Sequence, residues 1–200
     1  MYKHLHGQNP HTHLLHHQYR LQITPPIARK LYNVYPTSDY YHLKYGLDTR
    51  GVRFPGLISY AALPGGGTTD YAVHIYYEAL KKGSYTSYIG RGTFMDMMYM
   101  PDALDAVVKL MEADPAKLVH WNSFNITAMS FDPEGIAASI RKHIPNFALS
   151  YDVDPVRQAI ADSWPDSLDC SAACEEWGFE PKYDLDRMTA DMLARLKERI

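Results

Sequence analysis

The chain has 200 residues, 46% of them apolar and 22% charged, with a net charge of −3. That is room for one domain or two, with the balance of a globular protein. No apolar run is long enough to cross a bilayer, the weakly acidic total argues against a nucleic-acid protein driven by phosphate contacts, and two cysteines, Cys170 and Cys174, cannot build a disulfide framework. The totals conceal a seam. Residues 1–38 hold no Asp or Glu, four Lys or Arg (Lys3, Arg20, Arg29, Lys30) and six of the ten histidines. The remaining 16 basic and 23 acidic residues give residues 39–200 a net charge of −7. His4, His6, His11, His13, His16 and His17 are irregularly spaced and joined by no acid or Cys, so the tract reads as composition rather than a metal site. Residues 1–38 are expected to be an atypical, poorly ordered segment.

From Pro36 the signals become regular. Pro36 opens a short helix that stops at Gly46. Residues 52–54 and 57–60 read as extended, split by Pro55-Gly56. A glycine-rich loop, 64–69, feeds a strong helix whose Tyr71, Ala72, Ile75, Tyr76, Ala79 and Leu80 share one face, with Thr68 or Thr69 as cap and Gly83 as stop. A second helix starts at Pro101 and is expected to bury Ala103, Leu104, Val107, Val108 and Met111. Residues 124–126 form a strand candidate. Asp132-Pro133-Glu134 caps a helix running to Lys142-His143, and 147–151 alternates as a strand with Phe147, Leu149 and Tyr151 on one side. The last helix begins near Asp184 and presents Leu185, Met188, Met192 and Leu196. Helices alternating with short strands give an α/β class.

The best local site signal is Gly65-Gly66-Gly67-Thr68-Thr69. Glycines allow close backbone approach, and the following helix N-terminus favours a small anion such as a carboxylate; an ordinary flexible loop with a threonine cap is the competing reading. There is no G-x-G-x-x-G fingerprint and no phosphate-binding lysine loop. Tyr40…Lys44 and Tyr77…Lys81 have the spacing at which a Lys lowers a Tyr pKa for general-base work. Sixteen tyrosines make such matches common by chance, and Lys81 also suits a helix C-terminus. Cys170 and Cys174, four apart, are too few for a metal site. Trp164 is either a site aromatic or core.

Several runs, in order and spacing, carry a resemblance. They are Tyr45-Gly46-Leu47-Asp48, Arg53-Phe54-Pro55-Gly56-Leu57-Ile58-Ser59, Pro64 to Ala72, Met98-Tyr99-Met100-Pro101-Asp102-Ala103, Ala128-Met129-Ser130-Phe131, Arg157 to Pro165, and Trp177-Gly178-Phe179. Over residues 39–200 the chain resembles the C-terminal half of L-threonine 3-dehydrogenase of the short-chain dehydrogenase type, a relative of the sugar-nucleotide epimerases and dehydratases.

The resemblance implies an incomplete Rossmann-like extended short-chain dehydrogenase fold: the C-terminal part of the parallel sheet plus the small substrate-binding domain. It implies NAD as cofactor and oxidation of L-threonine to 2-amino-3-ketobutyrate in threonine catabolism. Pro55, Gly56 and Leu57 would lie beside the nicotinamide, and Gly67, Thr68, Thr69 and Trp164 at the substrate. The family's Tyr-x-x-x-Lys should fall shortly before Tyr40. Lys30 is the nearest candidate for its lysine, but Pro26 stands four residues earlier, so no intact catalytic pair is expected. The family's NAD-binding half has no counterpart here, and the chain is expected to be a fragment, inactive alone. The alternatives are a non-catalytic partner of full-length subunits and a sugar-nucleotide epimerase relative. A homo-oligomer is possible; no nucleic-acid or membrane partner is expected. The compartment would be the mitochondrial matrix in a eukaryote and the cytoplasm otherwise.

Overall fold

The computed structural model describes residues 37–200. The His-rich tract and Lys30 lie outside the described residues. The first element is a helix, α1, over 37–45, closed by Gly46 at φ +66°. The helix expected from Pro36 to Gly46 is therefore present over the part described.

Two short strands follow, β1 (Val52–Arg53) and β2 (Gly56–Ile58). Pro55 parts them, since it has no N–H to donate to a ladder. A 3₁₀ turn over Thr68–Asp70 leads into α2 (Tyr71–Lys82). The expected face is inward: Tyr71, Ala72, Ile75, Tyr76 and Ala79 are buried, and Leu80 packs at their edge. Burying a large apolar side chain contributes about 1.5–3 kcal/mol, which explains why this helix anchors the core. Gly83 ends it in the left-handed region at φ +67°, a conformation that glycine adopts at little cost. The threonine cap is a correction. Thr68 and Thr69 lie inside the 3₁₀ turn, and Asp70 occupies the cap position of α2.

Next come β3 (Ser84–Ser87), β4 (Met95–Tyr99) and α3 (Met100–Glu112). The stripe expected on α3 holds at Ala103, is half-buried at Val107, and fails at Leu104, Val108 and Met111. Ala103, Ala106 and Leu110 are buried, whereas Leu104, Val108 and Met111 are 61%, 50% and 72% exposed. The helix lies close to β4 through small residues. Its buried Asp102 accepts the amides of Lys182 and Tyr183 at 3.0 Å each, which fixes the inward face.

The remaining elements are β5 (Phe124–Asn125), β6 (Met129–Phe131), α4 (Pro133–Arg141), β7 (Ala148–Tyr151), α5 (Pro155–Ala161), α6 (Ser171–Trp177) and α7 (Leu185–Lys197). Asp132 caps α4 and Asp184 caps α7, each accepting an amide three residues on. Helix α4 stops at Arg141, just short of the expected Lys142-His143.

The strands of the described residues form three small sheets. Strand β1 pairs with β5 in parallel, and β3 pairs with β7 in parallel. In the third, β4 is central, parallel to β2 and antiparallel to β6. Helices α2, α4 and α7 pack on one another and carry the larger core. A second core gathers Met98, Ala103, Leu110, Phe124, Ile126 and Phe179. Strand β4 separates the two: Met95, Met97 and Tyr99 face the first, Met98 the second. This is the α/β architecture expected, with β2, β4 and the 68–70 turn meeting at one end.

Candidate functional site

Strand β2 and the turn before α2 meet at Gly56. A Cβ there would lie 2.4 Å from Met97 Sδ and 2.9 Å from Thr69 Cγ2. Only glycine admits so close an approach, so the Pro55-Gly56-Leu57 segment and Thr69 are held together by contact. Gly56 is buried, and Pro55 and Leu57 are half-buried.

The glycine-rich loop is wired internally. Asp70 Oδ2 accepts the amides of Gly66 and Gly67 at 2.7 Å each. The backbone donors expected to greet an external anion thus already hold a carboxylate of this chain. The Thr68 and Thr69 side chains are half-buried beside them. Tyr88 donates its hydroxyl to Gly67 O at 3.1 Å, and Arg157 stacks on the Tyr88 ring at 4.3 Å. Burial pushes the Tyr88 phenol up to about 12, against the lowering effect of Arg157. This tyrosine therefore serves as a hydrogen-bond donor rather than a base.

Helix α5 packs against the Thr68–Asp70 turn. Its Gln158 accepts the Gly90 amide at 2.8 Å and donates to Thr93 at 2.8 Å and Asp162 at 2.6 Å. The loop after α5 carries Trp164, which is 40% exposed. That exposure removes the core reading of Trp164. The same loop reaches the sheet, where Ser130 donates to Asp166 O at 2.5 Å.

Beneath this loop lies Asp96, 6% exposed, the second residue of β4. Its Oδ2 finds no hydrogen-bond partner among the described residues, and neither does the Thr127 hydroxyl. Burial raises its carboxyl pKa above the usual range, and the nearby Thr127 hydroxyl and Leu168 amide offset this only in part. The sequence signal for Asp96 is a lone acid in an apolar run, Met95 to Tyr99. Asp70 and Gln158 show no such signal, because their roles depend on what the fold brings to them.

Three separate segments thus converge: 55–57, 66–70 and 157–168. The Tyr40…Lys44 pair is elsewhere. Lys44 donates to Tyr40 on α1, and α1 is tied to residues 121 and 122 by His42 on Trp121 and by Asn122 to Asp39. Lys81 lies 5.7 Å from the Tyr77 ring, a cation–π contact at a helix end. Among the described residues no group of three or more His, Cys, Asp or Glu side chains could hold a metal ion. No helix among them is long and apolar enough to cross a membrane.

No protein-family model matches the chain. An uncharacterized epimerase/dehydratase of Staphylococcus haemolyticus is 65% identical over 161 residues, covering 80% of this chain and 51% of the relative. Among solved structures, the L-threonine dehydrogenase from Clostridium difficile is 68% identical with a TM-score of 0.80, covering 81% of this chain and 51% of that one. The L-threonine dehydrogenase from Phytophthora infestans is 49% identical with a TM-score of 0.80, covering 82% and 53%. The chain therefore has the fold of the extended short-chain dehydrogenases and resembles the L-threonine dehydrogenases among them. It spans about half the length of the relatives it matches.

Proposed function

We propose that this chain supplies the amino-acid-binding side of an NAD-dependent L-threonine 3-dehydrogenase, an oxidoreductase converting L-threonine to 2-amino-3-ketobutyrate. The observation that carries the reading is the contact of Gly56 with Thr69, which joins the segment beside the nicotinamide to the loop for the substrate. The identity to L-threonine dehydrogenases supports the substrate class. With the Gly66 and Gly67 amides committed to Asp70, Thr68 and Thr69 are the residues of the loop assigned to a small amino acid, with Gly67 shaping the approach. Trp164, exposed on the loop after α5, is the aromatic assigned to the substrate, and its exposure leaves it free for that role. Lys30 is the nearest candidate for the catalytic lysine.

When bound, NAD supplies the hydride acceptor, and Pro55, Gly56 and Leu57 would lie along its nicotinamide. The chain's residues fit only that end. The sequence has no glycine fingerprint for a pyrophosphate. Turnover by this chain alone is not expected.

Purified chain mixed with L-threonine and NAD is expected to give no rise in NADH absorbance. In differential scanning, L-threonine raises the unfolding midpoint while D-threonine and a UDP-sugar do not, and Thr69→Ala abolishes the shift. Robust turnover overturns the inactivity; stabilisation by the UDP-sugar instead favours an epimerase relative. A second reading, a non-catalytic partner of full-length subunits or of itself, is favoured by the exposed Tyr40, Tyr41 and Leu43 on α1 and Leu104, Val108 and Met111 on α3. Co-elution with a full-length L-threonine dehydrogenase tests it.

A further inference from the structure

Cys170 and Cys174 are free thiols, Cys174 exposed and Cys170 half-buried, at the start of α6. Their sulfurs are 3.8 Å apart. The Cys174 amide donates to the Cys170 carbonyl at 3.1 Å, so one helical turn joins them. A turn of helix sets the Cα atoms about 6 Å apart, inside the span a disulfide bridges. The Cβ atoms of such a pair are about 5–6 Å apart, however, and a disulfide needs about 4 Å. Bridging must therefore tighten the first turn of α6. Ala173 is fully buried, and Trp177 packs edge-on to Phe124 at 5.8 Å, so the body of the helix is fixed. The movement falls on the Cys170 side.

That side leads directly into the loop of Trp164. Asp169 O accepts from Asn125 at 3.3 Å, the Asp169 carboxylate accepts the Ser171 amide at 2.9 Å, and Asp166 O accepts from Ser130. We propose that Cys170 and Cys174 form a dithiol that small disulfides oxidise to an intrahelical bridge, and that closing it loosens residues 166–170 from the sheet. The inference does not depend on which substrate the chain takes.

The chemistry balances with a low-molecular-weight disulfide as oxidant. The thiolate of the exposed Cys174 attacks one sulfur of glutathione disulfide, forming a mixed disulfide and releasing one glutathione. The Cys170 thiolate then attacks the Cys174 sulfur, forming the protein bridge and releasing the second. Two electrons pass to the oxidant and two thiol protons to the released thiols. Burial, and then the neighbouring Cys170, push the Cys174 thiol up to about 11. The first attack is therefore slow near neutrality, because the thiolate is the nucleophile. A bridge made against helix geometry is readily reduced again, as labile regulatory disulfides are.

The test incubates the whole chain with glutathione disulfide and digests it with trypsin. Residues 158–182 form one tryptic peptide that holds both cysteines. The expected product is that peptide lighter by two hydrogens, unreactive to iodoacetamide, and restored by dithiothreitol. Cys170→Ser and Cys174→Ser should each stop at a glutathione adduct on the remaining thiol. Persistent adducts on the unsubstituted chain, thiols that stay alkylatable, or disulfide-linked dimers would each overturn the bridge. Hydrogen exchange then reads the coupling. Segment 166–170 should exchange several-fold faster after oxidation and be unchanged in oxidant-treated Cys174→Ser. Bridge formation with unaltered exchange would overturn the coupling to the loop.

Discussion

Asp96 stands in β4 among Met95, Met97 and Met98, with one carboxylate oxygen that accepts nothing among the described residues. A buried carboxylate without full pairing favours its protonated form, and burial does raise its pKa. The sign of the stability effect follows. A carboxyl group with a raised folded pKa stabilises the fold below its unfolded value of about 3.9 and loses that contribution as pH rises through the folded value. At about pH 7 the charged Asp96 therefore works against folding. Asp96→Asn should raise the urea midpoint near neutrality and leave it almost unchanged near pH 3, where the acid is protonated in both states. The new amide could donate to the unpartnered Thr127 hydroxyl. A lower midpoint for the variant at neutral pH would mean that the carboxylate is satisfied as it stands.

Elements differ in how openly the sequence declares them. Helix α2 was legible because its large residues, Tyr71, Ile75 and Tyr76, are the ones buried. Helix α3 misled because its core face is made of Ala103 and Ala106, while its largest apolar residues face outward. Periodicity weighs apolar size and cannot see that a close helix–strand approach selects small side chains. Strand β3 is Ser-Tyr-Thr-Ser, too polar to stand out, and β4 is buried on both faces, so it shows no alternation. The site was legible only as separate runs. That Gly56 touches Thr69, and that Asp70 fills the glycine loop, depend on tertiary contacts that no local pattern carries. The two faces of α3 give opposite expectations under substitution. Replacing exposed Leu104 or Val108 by Gln should change stability by no more than about 0.5 kcal/mol. Ala106→Leu, at a residue 1% exposed, should cost about 1–3 kcal/mol by overpacking. Urea denaturation of the three variants distinguishes this arrangement from the one periodicity suggests, in which the order is reversed.

Across the whole molecule, β4 is the wall between two unequal cores. The larger is closed by three mutually packed helices, α2, α4 and α7, and is tied by a buried hydroxyl pair, Tyr76 with Thr189 at 2.8 Å. The smaller rests on β1 and β5, which share only two residue pairs, and on the seven-residue α6. Local opening takes its free energy from the contacts that must be broken, so the two sides should not open together. Amides of Phe124 and Ile126, bonded to Gly51 and Arg53 carbonyls, should exchange at least about tenfold faster than those of Ile75, Met97 and Met192. Native-state hydrogen exchange by mass spectrometry or NMR measures the gap, and equal protection on both sides would instead mark a single cooperative unit. The expected inequality follows from the fold itself. The glycine-rich loop is held through Tyr88, beside the larger core, and the 166–169 loop is held separately by Ser130 and Asn125. Opening of the smaller core would release Asp169 from Asn125 while leaving the Gly66 and Gly67 amides on Asp70, so the loop before α6 can move without unmaking the glycine-rich loop.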